Sequence, residues 1–309
     1  MQAANNTVLK GKKGVFVPQG MITAMVTPFG PDGKLDEATL RGLVEWQIGA
    51  GMDGLMIPGG CGEFVNMNDE ERIRAVQVTV EAAAGRVPVI AGVLAATTQH
   101  ALDLTQRAES VGASAALVLT PYYINPSDEG LYRHFATIAE ATPLPIVLYN
   151  NPGRTKIDMG VELLDRLADI PTVVGIKECQ RDIGLLSERI RVVRDRMSYL
   201  AGDDDLTIPM FLFGGRGDVG ITQLIAPKPQ VDLWSALKAG DWAKAVDIHL
   251  NFILPIFGAV LTKNHPAPIK RMMALAGHPV GDGRLPLMPP TAEHEAKINS
   301  ALRAIERFL

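Results

Sequence analysis

Eight short apolar runs punctuate residues 21–222, and this rhythm restricts the fold more than any other feature of the chain. The runs cover 21–27, 53–57, 87–92, 115–119, 145–149, 171–179, 198–202 and 218–222. Val173, Val174 and Ile176 illustrate the type: β-branched, apolar and without polar alternation, which reads as a strand buried on both faces. Helical periodicity fills the gaps, at 36–50, 69–84, 97–111, 127–141, 159–168, 182–196 and 206–213. Asp36, Asn68, Thr97 or Thr98, and Ser127 stand where helix N-caps are needed. A strict βα alternation of eight units predicts a closed parallel TIM (β/α)8 barrel. Right-handed βαβ connections leave few other topologies, and an open doubly wound sheet has no reason to stop at eight equal units.

Beyond residue 230 the strand rhythm ceases. Apolar periodicity predicts helices at 231–239, 241–261, 268–276 and 291–308, a helical extension packed on the barrel. The organisation read from the sequence is therefore a mobile leader over 1–19, the barrel over 20–230 and the extension over 231–309. Lys10, Lys12 and Lys13 are followed by no apolar segment and no small-residue cleavage site, so the leader does not read as a signal peptide.

Composition narrows the class of function. Of 309 residues, 47% are hydrophobic and 21% charged, which suits a compact enzyme with a sizeable core. Net charge is −4 and no basic run occurs, so nucleic acid is not an expected partner. No apolar run is read as long enough for a membrane span. The two cysteines, Cys61 and Cys179, cannot build a secreted disulfide framework; both are read as free thiols of a cytoplasmic protein.

In a βα barrel, chemistry gathers at the C-terminal strand ends. Those ends carry residues 59–63, Tyr122 and Tyr123, residues 149–155, Lys177, residues 203–205 and residues 219–222. Lys177 alone has two readings. It is a solvated strand cap, or an amine in a dry site, where desolvation lowers a lysine pKa by up to ~3–5 units and frees a nucleophile. Tyr149 ends the adjacent strand, within side-chain reach. Amine, phenol and glycine-rich backbone are the parts imine chemistry needs: a nucleophile, a proton carrier and N–H groups for a carboxylate.

The motifs at these ends resemble one family over residues 20–287. Residues 149–155 read Tyr-Asn-Asn-Pro-Gly-Arg-Thr, against that family's Tyr-Asn-x-Pro-x-Arg-Thr. The blocks Gly175-Ile176-Lys177-Glu178, Thr120-Pro121-Tyr122-Tyr123 and Gly202-Asp203-Asp204 are similar too. The chain thus resembles the dihydrodipicolinate synthase / N-acetylneuraminate lyase family of class I pyruvate-dependent aldolases, closest to the synthase branch. The resemblance implies a Schiff base between Lys177 and pyruvate, proton shuttling by Tyr149, and Tyr123 reaching into a neighbouring subunit. It also implies a substrate site drawing on Gly60, Cys61, Arg154 and Val219, with Arg154 meeting the second substrate's carboxylate. Small keto-acid and aldehyde substrates, a homodimer or homotetramer, and no cofactor follow.

Two positions depart from the family pattern. Its Gly-Thr-Thr-Gly-Glu loop is Gly59-Gly60-Cys61-Gly62-Glu63 here. Gly60 lacks the hydroxyl that normally links two tyrosines, and Cys61 is a poorer donor than the threonine it replaces. Three activities follow as alternatives: condensation of pyruvate with aspartate semialdehyde, cleavage or dehydration of a 2-keto-3-deoxy sugar acid, and keto-acid binding without turnover.

Other signals carry less. Residues 215–220, Gly-Arg-Gly-Asp-Val-Gly, match a dinucleotide pattern but lead into a strand, and read as a tight turn. Asp203, Asp204 and Asp205 read as helix-capping and solvated, and the six histidines lack zinc spacing, so no metal site is expected.

Overall fold

The computed structural model describes residues 9–12 and 14–309. Each apolar run forms a strand: β1 (Gly20–Ala24), β2 (Gly54–Ile57), β3 (Val89–Val93), β4 (Ala115–Leu119), β5 (Ile146–Asn150), β6 (Val173–Glu178), β7 (Ser198–Ala201) and β8 (Gly217–Gly220). The strands follow sequence order around a closed barrel. Their ladders are parallel and every strand residue is buried, which explains runs without polar alternation. β1 is shorter than expected, and β8 begins and ends earlier. Residues 215–220 are indeed the turn into β8 and its strand.

The chain divides into two compact units, which cut across the sequence-based division at residue 230. The first joins the N-terminal residues up to Gly20 with Pro88–Val219 and carries β3 to β8. Between β5 and β6 the register slips: Ile146 pairs with Val173, but Val147 pairs with Gly175. One residue is extra on β6, as in a β-bulge. A slip of one residue exchanges the faces of a strand. Without it Tyr149 would lie opposite Ile176; with it Tyr149 lies opposite Lys177. Gly175 permits the close approach to β7, since a Cβ there would stand 3.0 Å from the Ser198 carbonyl oxygen.

The later part of the predicted mobile leader is tied down in this unit. Leu9 and Lys12 are buried. The Lys12 ammonium donates to the carbonyls of Ala168 (3.3 Å), Ile170 (2.5 Å) and Pro171 (3.2 Å). Burial brings its pKa down to about 8, against the pull of Asp169. Residues 1–8 and 13, also assigned to the leader, lie outside the described residues.

The second unit comprises Met21–Val87 and Gly220–Leu309. Its helices start where the caps predict. Asp36 accepts from the Thr39 N–H ahead of Glu37–Gly49, and Asn68 with Glu71 forms a capping box ahead of Asp69–Ala83. Pro227–Ala239 begins before the expected 231 because Pro227 and Pro229 sit in its first turn, where no N–H is required. Trp242–Val260 is continuous, with a π turn over His249–Ile253. That wide turn adjoins Pro255, which lacks an N–H and crowds the carbonyl four residues back. This segment corrects the expectation of no membrane-length apolar run: by length and composition it is long enough to cross one. One side of it packs on Pro227–Ala239, Ala267–Leu275 and Ala292–Ala304, while Trp242, Val246, Leu250 and Leu254 are exposed.

Candidate active site

Lys177 and Tyr149 are brought together by the slipped β5–β6 register. Lys177 is 5% exposed, which decides against the solvated strand cap. Its Nζ lies 4.9 Å from the centroid of the Tyr149 ring. Among the described residues this amine forms no hydrogen bond or ion pair.

The next residue, Glu178, faces the opposite side of the sheet, as strand alternation requires. It is fully buried and fully engaged. Asn150 Nδ2 and the Gln180 N–H donate to Oε1, each at 2.8 Å. Arg189 (3.0 Å) and the Tyr199 hydroxyl (2.7 Å) donate to Oε2. Arg189 comes from the helix Ile183–Val193 and also pairs with Asp158 at 2.8 Å. Burial raises the Glu178 pKa and Arg189 opposes the shift. This network clamps the end of β6, so the backbone that carries Lys177 is held from behind.

Beyond β5 the chain makes a one-turn helix, Pro152–Thr155, absent from the sequence-based reading. Asn151 caps it: Oδ1 accepts the Arg154 N–H at 3.2 Å, while Nδ2 donates to the Tyr149 hydroxyl at 3.0 Å. Thr120 at the end of β4 donates to Thr155 at 3.1 Å, fixing the turn to its neighbour strand. Arg154 itself is exposed. Burial pushes the Tyr149 phenol well above its ordinary pKa; the hydrogen-bonded Cys179 thiol adds to this, and Asn151 works against it. Burial likewise raises Cys179, with Asp203 adding and Lys177 opposing.

Asp203, at the N-cap position of the short turn after β7, does not cap it through its side chain. With Asp205 it pairs with Arg181, at 2.8 Å for Asp203. Burial raises the Asp203 pKa and Arg181 opposes it. Asp218, on β8, is fully buried and neither carboxyl oxygen has a hydrogen-bond partner. Burial holds its pKa well above the carboxylate range, with Asp204 adding and Lys177 opposing. Val219 beside it is buried. Tyr123 is fully exposed and adopts a left-handed backbone conformation, φ 73°, which is rare outside glycine and its close mimics. Within its own chain nothing covers the ring.

The loop at residues 59–63 belongs to the second unit. A Cβ on Gly60 would meet nothing within 4 Å, so neither space nor backbone demands glycine there. Gly62 is different: a Cβ would stand 3.0 Å from the Gly59 nitrogen. Cys61 is buried. Glu63, at φ 57°, is fully buried against Lys270, whose Nζ lies 2.5 Å from Oε1. Its Oε2 accepts from Asn66 (3.1 Å) and from the Arg284 N–H (2.9 Å). Burial lowers the Lys270 pKa and Glu63 opposes the shift. Sequence reasoning missed Lys270 because it sits mid-helix in the C-terminal segment, with no motif linking it to the loop. Among the described residues no group of three or more His, Cys, Asp and Glu side chains could hold a metal ion.

The chain is similar to known proteins over most of its length. The 4-hydroxy-tetrahydrodipicolinate synthase of Neisseria gonorrhoeae is 39% identical over 286 residues, covering 93% of this chain and 98% of its own. The Ralstonia nicotianae enzyme of that name is 38% identical over 284 residues, covering 92% and 96%. The crystal structure of the chloride-inhibited dihydrodipicolinate synthase from Acinetobacter baumannii, complexed with pyruvate, superposes with a TM-score of 0.90 at 35% identity. It covers 94% of this chain and 99% of that one. The Thermotoga maritima enzyme matches with the same TM-score at 34% identity, covering 94% and 99%. The sequence model of the dihydrodipicolinate synthetase family matches residues 17–305, and this chain belongs to that family.

Proposed function

We propose that this chain is a class I, lysine Schiff-base lyase that condenses pyruvate with aspartate semialdehyde, as a 4-hydroxy-tetrahydrodipicolinate synthase. The observation that carries the reading is a buried, unpaired Lys177 amine opposite Tyr149 on adjacent strands. The amine attacks the keto carbon of pyruvate and forms a carbinolamine. Tyr149 gives its proton to the departing hydroxyl, which leaves as water, and an iminium remains on Lys177. Loss of a methyl proton yields an enamine, whose carbon attacks the aldehyde. Val219, buried on β8, is assigned to pyruvate. Arg154, exposed on its one-turn helix, is assigned to the carboxylate of the aldehyde substrate.

We further assign the protein to the cytoplasm as a homo-oligomer. Two buried cysteines outside any disulfide and an uncovered Tyr123 ring support this. The test is genetic: expression in a lysine auxotroph lacking the synthase restores growth. Failure to rescue, with folded protein present, rules out the condensation and leaves sugar-acid cleavage or dehydration, or keto-acid binding without turnover.

A further inference from the structure

Tyr149 must give up and recover a proton, so the groups that its oxygen touches decide that step. Asn151 occupies an open position of the Tyr-Asn-x-Pro-x-Arg-Thr motif, and its carboxamide meets the phenol directly. Which end of the amide does so is settled by its second contact. The Arg154 backbone N–H can only donate, so Oδ1 must face it, and Nδ2 must face the Tyr149 oxygen. Asn151 therefore donates one hydrogen bond to the phenol and can accept none from it. The phenol's own proton is left for Cys179 or for the reacting carbinolamine. The thiol is firmly placed: the Cys179 N–H donates to the Asn150 carbonyl at 2.9 Å, and a Cβ on Gly202 would stand only 2.5 Å from Sγ.

We propose that Asn151 is a positioning residue for imine formation: its Nδ2–H steadies the Tyr149 oxygen as that oxygen becomes phenolate, while its Oδ1 locks the turn that carries Arg154. This deepens the Schiff-base reading and rests on it. The proton count fixes where the effect falls. Dehydration of the carbinolamine consumes the Tyr149 proton, releases water and leaves iminium and phenolate. The phenolate then takes the methyl proton, giving the enamine and restoring the phenol. A hydrogen bond to an ionised acceptor is roughly twice as strong as one to a neutral acceptor. The Asn151 contact therefore strengthens as the charge develops, which lowers the barrier more than it stabilises the resting site.

Asn151→Asp tests this with little structural cost. Aspartate caps helices as well as asparagine does, but it sets an acceptor against the phenol where a donor stood. Asn151→Ser keeps the cap and withdraws the reach. The measurement is the rate at which borohydride-trappable pyruvate adduct forms on Lys177, as a function of pH, with melting temperature recorded alongside. The groups acting on the phenol are Lys177, Cys179 and Asp203, so the profile is repeated in Cys179→Ala to separate the thiol. Expected are an unchanged melting temperature, trapping slower by roughly 10- to 100-fold in Asn151→Asp and about tenfold in Asn151→Ser, and an alkaline limb moved to higher pH. Wild-type rates and an unmoved profile in both variants overturn the proposal. Absence of any adduct on the wild-type protein overturns the Schiff-base reading instead, so the two failures are distinct.

Discussion

Replacing Lys270 with methionine isolates what holds the loop at residues 59–63. The lysine and Glu63 are both buried, 2% and 0% exposed, with 2.5 Å between Nζ and Oε1. At an effective dielectric near 20 their attraction is roughly 7 kcal/mol, and desolvation of the two ions takes back several kcal/mol. Methionine fills much of the lysine stem's volume but leaves the carboxylate stranded, still bonded only to Asn66 and the Arg284 N–H. Lys270→Met is therefore expected to lose about 3–5 kcal/mol. Glu63→Gln together with Lys270→Met removes both charges, and the double variant should recover about 2 kcal/mol or more of that loss. Urea unfolding of all four proteins at one protein concentration measures the cycle. A loss below about 1 kcal/mol in Lys270→Met, or a double variant equal to the sum of the singles, would refute the reasoning.

Three further outcomes follow. Asp218 is buried without a hydrogen-bond partner and its pKa is raised, so the folded state holds its proton more tightly than the unfolded chain. Stability is then lost as pH climbs above about 4; Asp218→Asn should remove that slope and add roughly 1–3 kcal/mol at pH 7, while a loss in urea unfolding contradicts this. His134 is the opposite case: burial lowers its pKa to about 4, so the unfolded chain binds the proton first as pH falls below about 6.5. About 3 kcal/mol should be lost by pH 4, and His134→Asn should flatten that acid limb; an unchanged limb assigns it to other groups. Gly60→Thr should fold within about 0.5 kcal/mol of the parent, because its Cβ meets open space; a large loss of melting temperature would show a backbone demand for glycine.

The barrel was legible because its signal is periodic and local: eight apolar runs alternate with helical stretches, four of them opened by a readable cap residue, and each unit reports independently of the others. The tether at Lys12 was not, since a lysine near a terminus reads as solvated until the carbonyls of Ala168, Ile170 and Pro171 are seen around it. Lys177 and Tyr149 were legible as strand ends, but their direct pairing depends on the extra β6 residue, and no composition rule announces that bulge. Lys270, Asn151 and Asp218 escaped for a related reason. Their roles come from contacts made in three dimensions, with Glu63, with Tyr149, and with nothing at all. The aspartates at 203–205 were read as caps because acidic residues ahead of a helix usually are; Arg181 recruits two of them instead.

The proposed chemistry depends most on the amine of Lys177. Incubation with pyruvate, reduction with borohydride and peptide mass analysis should place one reduced pyruvyl group on Lys177, with none on Lys177→Ala and a slower yield in Tyr149→Phe. Intact, folded protein carrying no adduct, or an adduct on another lysine, would contradict the account.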